Sequence, residues 1–303
     1  MHFKGRSFFT WKGLLLWSNH FYGMAAALLS TETVYTFFKK PPSLFLVAFI
    51  YISTLVYYTY AYFKETKTGI YNERSQWYVQ NKKYLKIRQI VLILICFCIA
   101  FFHLRFVELF LSLTLSIKII LFITLLITLL YYYSHHFFKG MNIRNKGFLK
   151  SLSISWVWVF VCFIAPIVIE SNGQFKFLEN YALMYLLQLF LFILILAILF
   201  DIKDINRDND ENIKTLVSKY GIKPTIYKFI IPLVLLYIWV SLFLFFRLHQ
   251  SFIYLVIPFL ISILILLVTY LIQKRKAIDE NILLIDGLMV VKAMIGILLA
   301  CWI

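Results

Sequence analysis

Negative charge is what this chain has least of: 303 residues contain 14 Asp and Glu against 30 Lys and Arg. Glycine is also sparse, with ten residues scattered along the chain, and no Gly-rich phosphate loop occurs, which argues against a nucleotide-driven motor. The four cysteines (Cys96, Cys98, Cys162, Cys301) lie in apolar runs without metal-type spacing and read as small buried hydrophobes. Six prolines (Pro41, Pro42, Pro166, Pro224, Pro232, Pro258) fall mostly at or near the ends of apolar runs, unlike the midplane breaks of a transporter. Alternating apolar and polar residues of the outer-membrane barrel kind are missing, so any membrane spans are helices. What remains is hydrophobic: 62% of residues are apolar, 19% aromatic and only 15% charged. With a mean hydropathy of +0.84 this is an all-α integral membrane protein, not a water-soluble domain.

Apolar windows of about 20 residues, the length that crosses roughly 30 Å of hydrocarbon, predict nine transmembrane helices. They fall near 12–37, 43–63, 88–104, 108–133, 149–170, 180–200, 225–246, 251–272 and 281–302. The basic, then apolar N-terminus carries Asn19 and His20 and no convincing cleavage site, so it reads as a retained first helix. Placing the N-terminus in the cytoplasm puts 23 of the 30 Lys and Arg on the cytoplasmic side. The net charge of +16 therefore reports orientation, and a nucleic-acid partner is not expected. Two long loops, 64–87 and 201–223, open on that side, while the opposite connections are short. One membrane domain accounts for residues 1–303.

The scarce acids are concentrated. Asp201, Asp204, Asp208, Asp210 and Glu211 fall in "DIKDINRDNDENIKTLVSKYG", directly after the sixth span. If the helix continues past the membrane edge at about 100° per residue, Asp201, Asp204, Asp208 and Glu211 share a face and Asp210 points away. Clustered carboxylates repel unless a cation intervenes, and oxygen-only ligands favour Mg²⁺, which fills its remaining positions with water and substrate phosphate. Lys203, Arg207, Lys214, Lys219 and Lys223 add cations beside them. The pattern suits a diphosphate ligand; a solvated, charge-balanced loop is the alternative reading of the same residues.

The order "DIKDINRD", "NIKTL", "KYG" resembles the second aspartate-rich motif of the UbiA superfamily of intramembrane prenyltransferases, D-x-x-D-x-x-x-D followed by a basic residue with Thr-Leu. "YYYSHHFFKG…GFLKSLSISWVW" and "LLIDGLMVV" are also similar to that superfamily. The resemblance implies a UbiA-like helical bundle with its active-site loops at the cytoplasmic face of a bacterial-type inner membrane. Implied too are a catalytic and metal-binding set of Asp201, Asp204 and Asp208, with Mg²⁺ as cofactor, and Lys214 on the leaving diphosphate. The implied reaction passes a polyprenyl group from an isoprenoid diphosphate donor to a lipophilic, aromatic-type acceptor. Lys139 is a candidate diphosphate contact by the same resemblance.

One part of the pattern is missing. The superfamily carries a first motif, N-D-x-x-D-x-x-x-D, at the end of the second span; here Tyr58, Thr59, Tyr60 and Tyr62 stand in that region and the nearest acids are Glu65 and Glu73. Three readings stay open: Glu65 or Glu73 supplies a carboxylate, the metal rests on the second motif alone, or the chain keeps the fold as a prenyl-lipid-binding protein that has lost or changed the reaction. Arg74 is a candidate donor contact from this loop, and Asn19 a candidate substrate-binding residue of the vestibule, with helix–helix hydrogen bonding its alternative role. Asp286 and Lys292, six apart in the ninth span, are poorly placed to pair on one helix, and Asp286 reads as structural rather than catalytic.

Overall fold

The computed structural model describes residues 12–65, 73–137, 147–175, 181–205, 208, 213–248, 252–274 and 278–302, and every regular element among them is helical. After a π-helical turn at Gly13–Trp17 come α1 (His20–Phe38), α2 (Leu44–Glu65), α3 (Glu73–Gln80) and α4 (Lys82–Cys98). Then follow α5 (Phe106–Ser112), α6 (Leu115–Phe137), α7 (Phe148–Val159) and α8 (Ala165–Glu170), the last two joined by a π-helical turn at Phe160–Ile164. The chain ends with α9 (Ala182–Lys203), two short helices α10 (Leu216–Tyr220) and α11 (Ile222–Thr225), and the long α12 (Ile231–Leu248), α13 (Ile253–Lys274) and α14 (Ile278–Trp302).

Seven helical stretches among the described residues are long and apolar enough to cross a bilayer, and an eighth appears if α5 and α6 form one span bent by 119°. The two departures from nine straight spans have local causes. In the expected span 108–133 the helix breaks where Leu113 turns extended, with ψ 140°. The expected span 12–37 is α1, whose apolar character is diluted by Ser30, Thr31, Glu32, Thr33 and Thr36. These residues are tolerated because α1 is enclosed by protein, packing chiefly on α14, α2 and the turn at Phe160–Ile164. The Ser30, Thr31, Thr33 and Thr36 hydroxyls donate to carbonyls one turn earlier, so no hydroxyl proton among these four is stranded.

The other enclosed helix is α9. Phe192 to Leu199 are all buried, so this helix is apolar on every side and needs no polar face. In contrast α4 and α6 turn Ile90, Leu94, Phe97, Phe122 and Leu125 outward, as lipid-facing helices do. An apolar core thus holds α9 in fixed position and delivers its last turn, with Asp201, to one end of the bundle.

Charge also crosses this core. Lys292 of α14 donates to both oxygens of Glu32 of α1, at 2.7 and 2.8 Å. Asp286 and Lys292 do not pair; the partner of Lys292 comes from the far end of the sequence. Gly296, one turn beyond Lys292, makes room, since a Cβ there would lie 2.2 Å from Glu32 Oε1. Removing one member of a buried ion pair typically costs about 3–5 kcal/mol. Lys292→Met and Gly296→Ala should each lower the detergent-solubilised melting temperature clearly, and unchanged melting in both would show that the pair contributes no stability.

Candidate functional site

The carboxylates that follow the sixth expected span meet by a route other than a continuous helix. Helix α9 stops at Lys203, with Asp204 as its C-cap. The chain then turns, the Asp208 amide donating to the Asp204 carbonyl (2.9 Å) and the Ile213 amide to the Asp208 carbonyl (2.7 Å). Gly147, with φ +53°, donates its amide to the Lys214 carbonyl at 2.6 Å, which ties this return to the start of α7. Thr215 then caps α10 through a reciprocal pair with Ser218. Fixed at both ends, the segment folds Asp208 back over Asp201.

A lysine stands between them. Lys150, in the first turn of α7, places Nζ 2.8 Å from Asp201 Oδ1 and 3.0 Å from Asp208 Oδ2. Ser151, the next residue, donates to Asp201 Oδ2 at 3.0 Å. All three charged groups are almost wholly enclosed, so each depends on the others for its solvation. Burial pushes the Asp208 carboxyl up to about 6, against the pull of the Lys150 ammonium. Asp204 stands beside this trio, 3.1 Å from Lys203 Nζ.

Asp201, Asp204, Asp208 and Lys150 form the polar end of a cavity of about 620 Å³ between the helices. Its walls are otherwise aromatic, apolar or hydroxylic: Tyr22, Tyr57, Tyr58, Tyr62 and Trp158, with Phe160 and Val161 from the π-helical turn. Tyr58 stacks on Tyr22, ring centroids 4.4 Å apart, and its hydroxyl accepts from Trp158 Nε1 at 2.8 Å. Asp286 of α14 also faces this cavity.

The remaining sequence candidates separate. Asn19 and Arg74 come together: Arg74 donates to Asn19 Oδ1 and to the Tyr62 hydroxyl (2.8 Å), and Asn19 Nδ2 donates to Tyr78 (2.7 Å) and Thr59 (3.2 Å). Asn19 can reach them because it holds a left-handed conformation, φ 69°, at the start of α1. This network sits behind the cavity wall and meets the cavity through Tyr62. The Lys214 side chain is exposed and it is the backbone carbonyl that serves the site. Glu73 is exposed in the first turn of α3. Lys139, Arg207, Asp210 and Glu211 lie outside the described residues, as does the Glu65 side chain.

Lys150 and Ser151 are the functional candidates that motif reading passes over. The available signal was a charge at the very start of an apolar span, followed by Ser151, Ser153 and Ser155, since polarity at membrane depth faces the interior of a bundle. The donor set bears on which cation fits here. Asp201 and Asp208 converge on one position, now taken by an ammonium, and all their donors are hard oxygens of the kind Mg²⁺ prefers. Among the described residues no three His, Cys, Asp or Glu side chains are already arranged as a metal cluster. A single divalent ion therefore fits the donors only if Lys150 moves aside or shares them.

Comparison with known proteins agrees with this architecture. Two solved structures share the fold over nearly the whole chain. A UbiA homologue from Archaeoglobus fulgidus bound to Cd²⁺ is 13% identical with a TM-score of 0.54, covering 95% of this chain and 99% of its own. A structure described as digeranylgeranylglyceryl phosphate synthase in membranes is 18% identical with a TM-score of 0.52, covering 96% and 95% respectively. No curated protein matches the sequence. The model of the UbiA prenyltransferase family matches residues 65–284, which hold the aspartate segment, Lys150 and most of the cavity wall, and the chain belongs to that family.

Proposed function

We propose that this protein transfers a polyprenyl group from an isoprenoid diphosphate to a lipophilic acceptor inside the bilayer. The observation that carries this reading is one cavity with carboxylates and an ammonium at one end and an aromatic, apolar body behind them. A molecule with a doubly charged head and a long hydrocarbon tail matches that polarity. The excess of Lys and Arg in the adjoining loops supports placing the charged end at the cytoplasmic side, where a water-borne diphosphate can enter.

Asp201, Asp204 and Asp208 would hold Mg²⁺, which when bound neutralises charge developing on the departing diphosphate. Lys150 supplies a second cation there; once the carboxylates turn to the metal, its ammonium is free to meet a phosphate oxygen. By the family resemblance Lys214 and Lys139 would add to the attraction of this end for anions. Tyr57, Tyr58 and Trp158 offer ring faces to an allylic cation and exclude water from it. Arg74 and Asn19 act one layer further out, holding Tyr62 and Tyr78 in place.

A second reading, a family member that binds a prenyl lipid without turnover, is favoured by a specific observation: Lys150 already balances two carboxylates that a catalytic metal needs. Diphosphate release distinguishes the two. Purified protein given geranylgeranyl diphosphate and Mg²⁺ should release diphosphate, and Asp204→Asn should slow that release by about 10²-fold, in the range of losing one transition-state charge contact. No Mg²⁺-dependent release from donors of several chain lengths would favour the non-catalytic reading.

The role of Lys150 has its own signature. Lys150→Met leaves two buried carboxylates facing each other and should cost about 3–5 kcal/mol in EDTA. Mg²⁺ should then raise the melting temperature of the variant more than that of the wild type, since a ligand at 100 times its Kd adds about 2.7 kcal/mol. Equal Mg²⁺ shifts in both proteins would place the metal away from Asp201 and Asp208.

A further inference from the structure

Lys219, Lys223, Lys228 and Lys274 are exposed, and none of them lines the cavity or joins an ion pair among the described residues. They belong to one end of two neighbouring spans. Lys223 and Lys228 lie at the start of the continuous apolar stretch Ile222–Leu248, and Lys274 closes the next one, Ile253–Lys274. A short connection joins the two and α12 packs on α13, so Lys274 returns to the end from which Lys223 and Lys228 set out. Tyr220 of α10 packs on Phe229, ring centroids 5.7 Å apart, which brings Lys219 to the same end.

Their positions on the helices are specific. On α13 Leu260, Ile263, Leu267 and Tyr270 are exposed at spacings of three and four residues, which makes one outward stripe, and Lys274 is the next step of that series. On α12 Trp239 and Leu235 are 58% and 62% exposed; their stripe continues through Pro232 to Lys228 in the π-helical turn Ile226–Ile230, beside Tyr227 at 70%. Each stripe therefore runs from residues that face hydrocarbon to a tyrosine and a lysine. Lys274 Nζ lies 4.5 Å from the Tyr270 ring centroid, and Lys219 Nζ 5.0 Å from that of Tyr220. Such aromatic rings mark the level at which headgroups meet acyl chains. An orientation bias is satisfied by lysines anywhere in the loops and does not require them in line with two lipid-facing stripes.

A soluble anion would use the lysines and leave the stripes idle, while a lipid without net charge would use the stripes and leave the lysines unpaired. We propose that the outer face of α12 and α13 binds an anionic phospholipid, its phosphate meeting Lys223, Lys228 and Lys274 and its acyl chains lying along the two stripes. Lys219 adds positive charge at the rim. Unpaired ammonium groups at the membrane surface draw such headgroups, and the apolar stripes fix where the chains lie. The site is outside the cavity and does not depend on the transferase reading.

The test uses full-length protein in dioleoylphosphatidylcholine vesicles, into which phosphatidylglycerol or phosphatidylcholine with brominated chains is titrated. Trp239 lies on the α12 stripe, so its quenching, taken in each background as the difference from the matching Trp239→Phe protein, reads the lipid at this face. Brominated phosphatidylglycerol should bind there at least about fivefold more strongly than brominated phosphatidylcholine, and high salt should reduce the ratio. Lys223→Gln/Lys228→Gln/Lys274→Gln should bring the ratio below about twofold, and Lys223→Arg/Lys228→Arg/Lys274→Arg, which keeps the charges, should preserve it. Lys82→Gln/Lys83→Gln/Lys86→Gln, which removes exposed lysines at the start of α4, should leave it unchanged. Free glycerol phosphate, which lacks chains, should not compete. A ratio near one in the wild type, or its loss in the arginine variant, overturns the site. So does an equal fall in both glutamine variants, which would mean general surface charge, or displacement by glycerol phosphate, which would mean a soluble-phosphate site.

Discussion

The structure turns on a lysine ammonium buried between two carboxylates. Lys150 belongs to α7, Asp201 to the last turn of α9, and Asp208 to the return after it, so one cation joins two helices and a turn. None of the three can leave its place without exposing the others to a medium that does not solvate charge. Apolar packing around α9 sets where Asp201 emerges, and the Gly147 to Lys214 backbone bond sets how far Asp208 can travel. The charged end of the cavity is thereby fixed by the protein's own side chains, with an ammonium between the two carboxylates.

This arrangement compensates in part for what the second helix lacks. Where the family pattern has carboxylates, the chain has Tyr58, Thr59, Tyr60 and Tyr62, and behind them Arg74 held by Asn19 and Tyr62. A neutral, hydroxylic wall backed by a guanidinium replaces a second acidic wall. Two opposed acidic walls require several divalent ions to hold them together. One acidic wall with its own ammonium carries far less excess negative charge and suits a single ion. The site is lopsided in charge, and the lopsidedness follows from the substitution.

Much of this was legible in the sequence, and the parts that were not share a cause. Composition alone identifies a helical membrane protein, and the spacing of Asp201, Asp204 and Asp208 is sufficient to mark the charged end of the cavity. The continuous-helix geometry that first grouped them does not hold, because α9 ends at Lys203; a turn brings Asp208 back instead. Asn19 and Arg74 are individually conspicuous, yet nothing local shows that they touch across 55 residues. Lys150, Glu32 and the partner of Lys292 are harder still. Each is one polar residue in an apolar helix, and what it does depends on which helix lies opposite, which is a tertiary fact. The same limit explains α1: its hydroxyl-rich sequence falls short of a free-standing span, and it can be central only because α2 and α14 enclose it.

Two acids on or facing α14 are accommodated in the apolar bundle in different ways. Glu32 lies deep among α1, α9 and α14 and is fully satisfied by Lys292, with Gly296 shaped to admit it; nothing about that pair asks for a further partner. Asp286, about two turns before Lys292 on α14, is fully buried, and Tyr22, Lys203 and Arg74 act on it electrostatically without an ordinary hydrogen bond to either oxygen. Glu32 projects from α1 and Asp286 from α14, so the two carboxylates differ in the helix that carries them as well as in what they face. What differs is the neighbour: Lys292 meets Glu32 in a direct ion pair, whereas Lys203 and Arg74 act on Asp286 without a direct ion pair.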